Sequence, residues 1–246
     1  MATLGSCRVH IPLGRLAGLG ELTHYTQGMA LTHTAAEAMQ TLDLVMGARR
    51  IPEALALFVF GAEPLPPPDL LREGLRRGID AVLLEVSQAR QFLYGDICLQ
   101  TNLFSRHFIR AHGGALLPWF RLLCGGRTID EAVIQSALEN LRAGGHRPDE
   151  QVVDLLRGVR MEIPGRVEIA RTLEAMMVKL GGRWTVIGAL EAPGHEGAIM
   201  RQRRALNATL EQAAGQCGAA FYNPTRLIID HGRATVLDGG GADIHE

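Results

Sequence analysis

The chain has little that would staple it, span a membrane or charge it with one sign. Its four cysteines, Cys7, Cys98, Cys124 and Cys217, are spread over 246 residues. No two form a Cys-x-x-Cys pair and none stands in a cluster with histidine, so neither a disulfide framework nor a metal site is expected. Lysine is nearly missing: Lys179 is alone, and the other basic residues are arginine. An arginine surplus suits bidentate anion contacts, but a GC-rich coding sequence accounts for it equally well, so it does not argue for a phosphate ligand. With 25 basic and 26 acidic residues the formal net charge is −1, which lacks the basic footprint of a nucleic-acid binder. No apolar run approaches the about 18 residues of a membrane span. The start, Met1 to Gly5, lacks the basic and apolar regions of a signal peptide, and the expected compartment is the cytoplasm. The glycines of residues 14–20 (GRLAGLG) do not have dinucleotide-binding spacing, and there is no Walker A motif.

What is present is an ordinary globular composition, 47% apolar and 21% charged, long enough to bury a core without staples. Residues 2–11 read as a buried strand with Gly5 near its exit. Residues 34–46 read as a helix capped by Thr34. The run at 54–60 (ALALFVF), short, apolar and followed by Gly61, reads as a second strand. A helix is expected from the prolines at 66–68 to about Arg77, and a strand over 80–86 (DAVLLEV). That strand is continuously apolar, as strands covered on both faces are. Residues 102–180 read as almost wholly helical, with segments at 103–111, 129–141, 150–157 and 167–180. A strand at 184–190, a helix at 197–216, a strand at 219–222 and a small strand at 227–229 complete the pattern. Strands alternating with helices favour a parallel sheet flanked by helices. The expectation is one α/β domain over 1–246, a three-layer α/β/α sandwich with a central parallel sheet and a helical insertion or cap at 102–180.

In such sheets ligands bind beyond the carboxyl ends of the strands, which makes three loops suspects. The first is Gly5-Ser6-Cys7-Arg8. A thiol there can act as a nucleophile once a base activates it, and turn N–H groups can hold an oxyanion. Cys7 can equally be a small apolar residue closing a strand. The second loop is Glu85-Val86-Ser87-Gln88. Ser87 and Gln88 are candidate donors to an oxyanion or substrate, or plain polar residues at a strand end. A buried Glu85 is costly without a partner, and Arg8 or Arg90 is expected to supply it. The third is the glycine-rich tail, where Asp238, Asp243 and His245 form a carboxylate-oriented base in outline.

Taken in order, strand–Gly-Ser-Cys, strand–polar loop and a late Asp-x-His after helix, strand and turn, the chain resembles the SGNH/GDSL hydrolase superfamily, whose fold is flavodoxin-like. The Gly5-Ser6-Cys7 turn is similar to that of the GSCFA branch and to the Gly-Asn-Cys turn of a capsule-acetyltransferase-like branch. In both, cysteine stands where serine is usual. The C-terminal stretch adds Asn207, the run from Cys217 to Pro224 and Gly232. The resemblance implies acyl transfer: hydrolysis of an ester or thioester, or transfer of the acyl group to a small-molecule or saccharide acceptor. It implies Cys7 as nucleophile with Ser6 as runner-up, His245 as base, and Asp243 or Asp238 as its carboxylate. Arg8, Ser87 and Gln88 fall to the oxyanion and substrate. It requires no cofactor, with coenzyme A or another acyl carrier as candidate donor, and it leaves a homo-oligomer open. The chain departs from the pattern: Ser6 replaces an aspartate, no Gly-x-Asn-Asp block is present, and Ala242 stands where the usual aspartate would. A non-catalytic binding or scaffold protein of the same fold is the competing reading.

Two further histidines matter. His195, in Pro193-Gly194-His195-Glu196-Gly197 after the strand at 184–190, rivals His245 as base, and paired with Glu85 it offers a cysteine-independent alternative. His33 reaches the same rim in principle, but its place beside Thr34 favours a helix-capping role. Arg201, Arg203 and Arg204 read as a solvated helix face.

Overall fold

The computed structural model describes residues 1–26, 29–61, 69–191 and 197–232, the side chains of 197–200 excepted. The described residues form a mixed α/β protein with a four-stranded parallel sheet and eleven α-helices. They divide into two compact units, one from Met1–Met39, Pro66–Ala89 and Pro164–Glu246, the other from Gln40–Leu65 and Arg90–Ile163.

The first unit is built on β1 (Ala2–Leu4), β2 (Ala81–Glu85), β6 (Arg183–Ile187) and β7 (Ala220–Tyr222), in that order and all parallel. The register aligns Leu4 with Leu84 and Leu84 with Val186. Strand β2 is close to its sequence expectation because Val82 and Leu84 are fully buried in the middle of the sheet. β1 is much shorter than expected. Gly5, at φ 154°, breaks the strand, and Ser6 caps α1 (Cys7–Gly18) by accepting the Arg8 N–H. The apolar residues after Gly5 then follow helical rather than strand spacing: Val9 and Leu13 are buried and Ile11 is exposed.

Residues 54–60 are a correction. They form α3 (Glu53–Val59), with Pro52 at the N-cap and Leu55, Phe58 and Val59 on one buried face. That i, i+3, i+4 pattern satisfies a helix, and a run so short is ambiguous between the two periods. Without that strand, β1 borders the sheet among the described residues. The segment after α1 covers its edge: Tyr25 N–H donates to the Met1 carbonyl, Thr3 N–H to Thr26 Oγ1 at 2.7 Å, and Thr32 N–H to the Gly5 carbonyl. Edge backbone groups are thereby paired without another strand.

α2 (Ala35–Val45) starts in this unit as expected, with Thr34 Oγ1 accepting the Glu37 N–H, and from Gln40 on it belongs to the second. α4 (Asp69–Arg77) follows the prolines at 66–68, which lie outside the described residues. α9 (Arg166–Leu180) packs on α10 (Gly197–Cys217), which also contacts β6 and β7. The small strand expected at 227–229 is instead α11 (Thr225–His231). Asn223 Oδ1 accepts the Thr225 N–H and starts the turn, and Pro224 fixes φ at its entry.

In the second unit the strand at Val159–Glu162 corrects the almost wholly helical reading of 102–180, and the two strands before residue 102 were not expected. A hairpin of β3 (Gln91–Tyr94) and β4 (Ile97–Leu99) turns at Gly95-Asp96, and β5 (Val159–Glu162) joins β3, both pairings antiparallel. Gly158 leads into β5 because a Cβ there would lie 2.4 Å from the Tyr94 ring. Around this sheet lie α5 (Thr101–Phe104), a π turn at Ser105–Ile109, a 3₁₀ turn at Arg110–His112, α6 (Leu117–Cys124), α7 (Glu131–Ala143) and α8 (Glu150–Gly158). Asp130 and Asp149 cap α7 and α8. The core is aromatic: Phe58, Phe92, Phe104, Phe108 and Trp119 are buried, with Phe104 and Phe108 stacked at 5.1 Å.

No described helix is long and apolar enough to cross a membrane. No group of three or more His, Cys, Asp or Glu among the described residues is placed to hold a metal ion.

Candidate active site at the carboxyl rim of the parallel sheet

The strands of the first unit all run the same way, so the residues after Leu4, Glu85, Ile187 and Tyr222 end at one rim. Glu85 organises its β1–β2 half. The residue is 2% exposed. Its Oε2 accepts the Ser6 N–H at 2.9 Å and the Ser6 hydroxyl at 2.5 Å, and its Oε1 is ion-paired with Arg8. The partner that burial demands is therefore Arg8; Arg90 belongs to the other unit. Gly5 is required at this approach, since a Cβ there would meet Glu85 Cβ at 2.7 Å.

Ser6 is buried, and its hydroxyl is committed both as donor to Glu85 and as acceptor from the Arg8 N–H. Cys7 is the first residue of α1 and only partly buried. The residue thus stands at the rim, where β1 gives way to α1. The two residues that compete as nucleophile occupy different environments: Ser6 is buried with its hydroxyl committed, and Cys7 is only partly buried.

The loop before α2 meets the exit of β2. The N–H groups of Ser87 and Gln88 both donate to the His33 carbonyl, at 2.9 and 3.0 Å, and Ser87 Oγ lies 3.1 Å from His33 Nδ1. Any hydrogen bond that Ser87 or Gln88 gives a ligand therefore comes from the side chain. The His33 N–H donates to Glu37 Oε2 at 2.7 Å. Burial pushes the His33 imidazole below its ordinary pKa; the Glu85 carboxylate opposes that shift and the Arg8 guanidinium adds to it. His33 is thus electrostatically within the Glu85–Arg8 group. Its neighbour Thr34 does cap α2, and the sequence signal for that cap masked the imidazole's position.

At the β6–β7 half of the rim, Asn207 clamps the strand exit: its side chain accepts the Ala189 N–H at 2.7 Å and donates to the Ala189 carbonyl at 2.8 Å. Its amide also donates to Glu191 Oε1, as does that of Asn223. Burial pushes Glu191 up, but the hydrogen bonds from Asn207, Asn223 and Arg204 outweigh it and hold the carboxyl below the usual range. This network was not read from the sequence; an asparagine among the apolar positions of a helix is its only signal. Arg203 is a correction to the solvated-face reading. It is half-buried and donates to the Leu190 carbonyl at 2.8 Å, and burial, with the charge of Arg8, lowers its pKa. Arg204, mostly exposed, fits that reading better.

Of the expected site residues, the structure places Ser6, Cys7, Arg8, Ser87 and Gln88 at this rim. His195, Asp238, Asp243 and His245 lie outside the described residues.

The family described as the TviD N-terminal domain matches residues 1–246. The chain is 22% identical over 249 aligned residues to the Vi polysaccharide biosynthesis protein TviD of Salmonella typhi, an alignment that covers 99% of this chain and 29% of that protein. The chain thus spans less than a third of the length of this relative. No solved structure matches it.

Proposed function

The chain belongs to the TviD N-terminal domain family, and from that premise and the geometry of the rim we propose that it is an acyl-transfer enzyme with Cys7 as its nucleophile and a saccharide as its acceptor. One observation carries the reading. A partly buried cysteine stands at the first position of a helix at the carboxyl end of a parallel strand, in a turn locked by a buried carboxylate. A turn of that kind presents a side chain over the sheet edge with turn N–H groups beside it. The saccharide is suggested by the name of the Salmonella typhi relative.

In the proposed reaction the Cys7 sulfur attacks the carbonyl carbon of an ester or thioester donor, such as acyl-coenzyme A. The donor's alkoxide or thiolate leaves, and an acyl-cysteine remains. An acceptor hydroxyl, or water, then attacks that thioester and releases Cys7. A histidine carries the protons between these groups. The superfamily resemblance gives that task to His245 with Asp243, or Asp238, behind it, and leaves His195 as the rival. The Cys7 N–H and the side chains of Ser87 and Gln88 face the oxyanion; Arg8 keeps the turn in place through Glu85. The SGNH kinship, a three-layer arrangement of helices about the sheet, a single domain with residues 102–180 as cap, and a cytoplasmic setting belong to the same proposal. Four free thiols suit a reducing compartment.

The sequestered Ser6 hydroxyl favours Cys7 over Ser6. Peptide-resolved iodoacetamide labelling at neutral pH tests the assignment: Cys7 is expected to react faster than Cys98, Cys124 and Cys217. Equal, slow labelling of all four would favour a binding module of the same fold.

A further inference from the structure

We propose that His33 is the catalytic imidazole of the Cys7 site, with Ser87 as the residue that positions it; the inference rests on the reading of Cys7 as nucleophile. Three independent contacts place His33 from both sides of the rim. Its carbonyl takes the N–H groups of Ser87 and Gln88, its own N–H is held by Glu37 Oε2, and its Nδ1 lies 3.1 Å from Ser87 Oγ. Capping α2 requires none of the contacts to Ser87 and Gln88, because Thr34 already supplies the cap. A loop residue tied this closely to the exit of β2 is fixed for its side chain, as a preorganised proton carrier must be. Where Ser87 Oγ accepts from Nδ1–H, the tautomer leaves the basic lone pair on Nε2, the form that can take a proton. The charged groups around it are known. Glu85 comes from the end of β2, Arg8 from α1 and Glu37 from α2, and Glu85 and Arg8 pull its protonation in opposite directions. Burial wins and keeps the imidazole neutral at neutral pH.

The proton balance is complete with an ester or thioester donor. The Cys7 thiol proton passes to His33 as sulfur bonds to the acyl carbon, and from His33 to the leaving oxygen or sulfur as its bond to that carbon breaks. In the second half the acceptor's hydroxyl proton passes to His33 as its oxygen bonds to the acyl carbon. That proton returns to the Cys7 sulfur as the thioester bond breaks.

The test uses p-nitrophenyl acetate as acyl probe and peptide-resolved mass spectrometry as readout of Cys7 acetylation, from about pH 5 to 8. His33→Gln is expected to slow acetylation at neutral pH roughly a hundredfold. In the wild-type chain the rate is expected to fall only below the ordinary histidine value, whereas in His33→Gln, where the thiolate alone can attack, it is expected to fall steadily across the whole range. His146→Gln, in the other unit, is expected to keep both rate and pH profile. Ser87→Ala is expected to slow the reaction less and to move the acid limb, which a merely structural role would not do. Wild-type rate and profile in His33→Gln, or a slow rate falling steadily across the range in His245→Gln, would overturn the assignment. If His33→Gln does not fold, Ser87→Ala decides, and a wild-type profile there overturns it. Wild-type protein that never carries acetyl on Cys7 sinks the nucleophile itself, a different result from a wild-type rate in His33→Gln.

Discussion

Replacing Glu85 tests whether the turn that presents Cys7 is built on a buried charge. Glu85 is 2% exposed and Arg8 32% exposed, so the pair is half dry. In Glu85→Gln one amide oxygen can still accept from Ser6, but charge assistance is lost on two hydrogen bonds, each worth about 1.5–3 kcal/mol with a charged partner against about 1 without. Arg8 loses its ion pair but reaches water, which limits that part to less than about 1 kcal/mol. The sum is about 2–3 kcal/mol. Glu85→Leu removes every acceptor and strands the buried Ser6 N–H and hydroxyl, each costing about 1–3 kcal/mol, so it is expected to lose about 4 kcal/mol. For a chain of this size about 2–4 °C of melting temperature follows each kcal/mol. The expected drops are thus roughly 4–12 °C for Gln and more for Leu. Urea titration and thermal melts followed by circular dichroism measure both. Two variants within about 0.5 kcal/mol of wild type, or a Leu variant more stable than the Gln variant, would refute the reasoning.

The buried histidine pair gives a pH dependence. Burial, and then the neighbouring His24, push His10 down to about 4, and burial with the charge of the N-terminus lowers His24. The fold holds both neutral, whereas the unfolded chain takes up protons below about 6.5. Stability is therefore whole above about pH 6.5, falls as the pH drops toward about 4, and for His10 alone loses about 3 kcal/mol. Met1 and Asp80 are the other charges coupled to this group. A melting temperature flat between about pH 7 and 4.5 would contradict it. Gly188→Ala would put a Cβ 2.3 Å from Asn207 Oδ1 and 3.0 Å from Phe221; a loss of about 1–3 kcal/mol is expected from such overpacking, and unchanged unfolding in urea would contradict the clamp.

The sequence was most legible where one physical rule acted alone. β2 reads to within a residue or so because a strand buried on both faces has no polar alternation to confuse it, and the start of α2 follows from Thr34. Legibility failed where two periods fit equally. In residues 54–60 the apolar positions suit a strand or a single helical face, and only the helix buries Leu55, Phe58 and Val59 together. The hairpin at Gly95-Asp96 carried a turn signal between apolar runs that went unread beside the helical segments that follow. The placement of Ser6, Cys7, Arg8, Ser87 and Gln88 at one rim was legible because they flank strand ends. His33 was not, because its role depends on a contact 54 residues away, with Ser87. The Asn207 clamp was likewise invisible, since its partners sit in a strand exit 18 residues earlier.

Acid-quenched mass spectrometry of the chain mixed with acetyl-coenzyme A asks the central question most directly. An acetyl group on the Cys7 peptide, released by neutral hydroxylamine and missing from Cys7→Ala, is the predicted result. Acetyl found only on the N-terminus or Lys179, with Cys7 unmodified, would contradict a thioester mechanism at this rim.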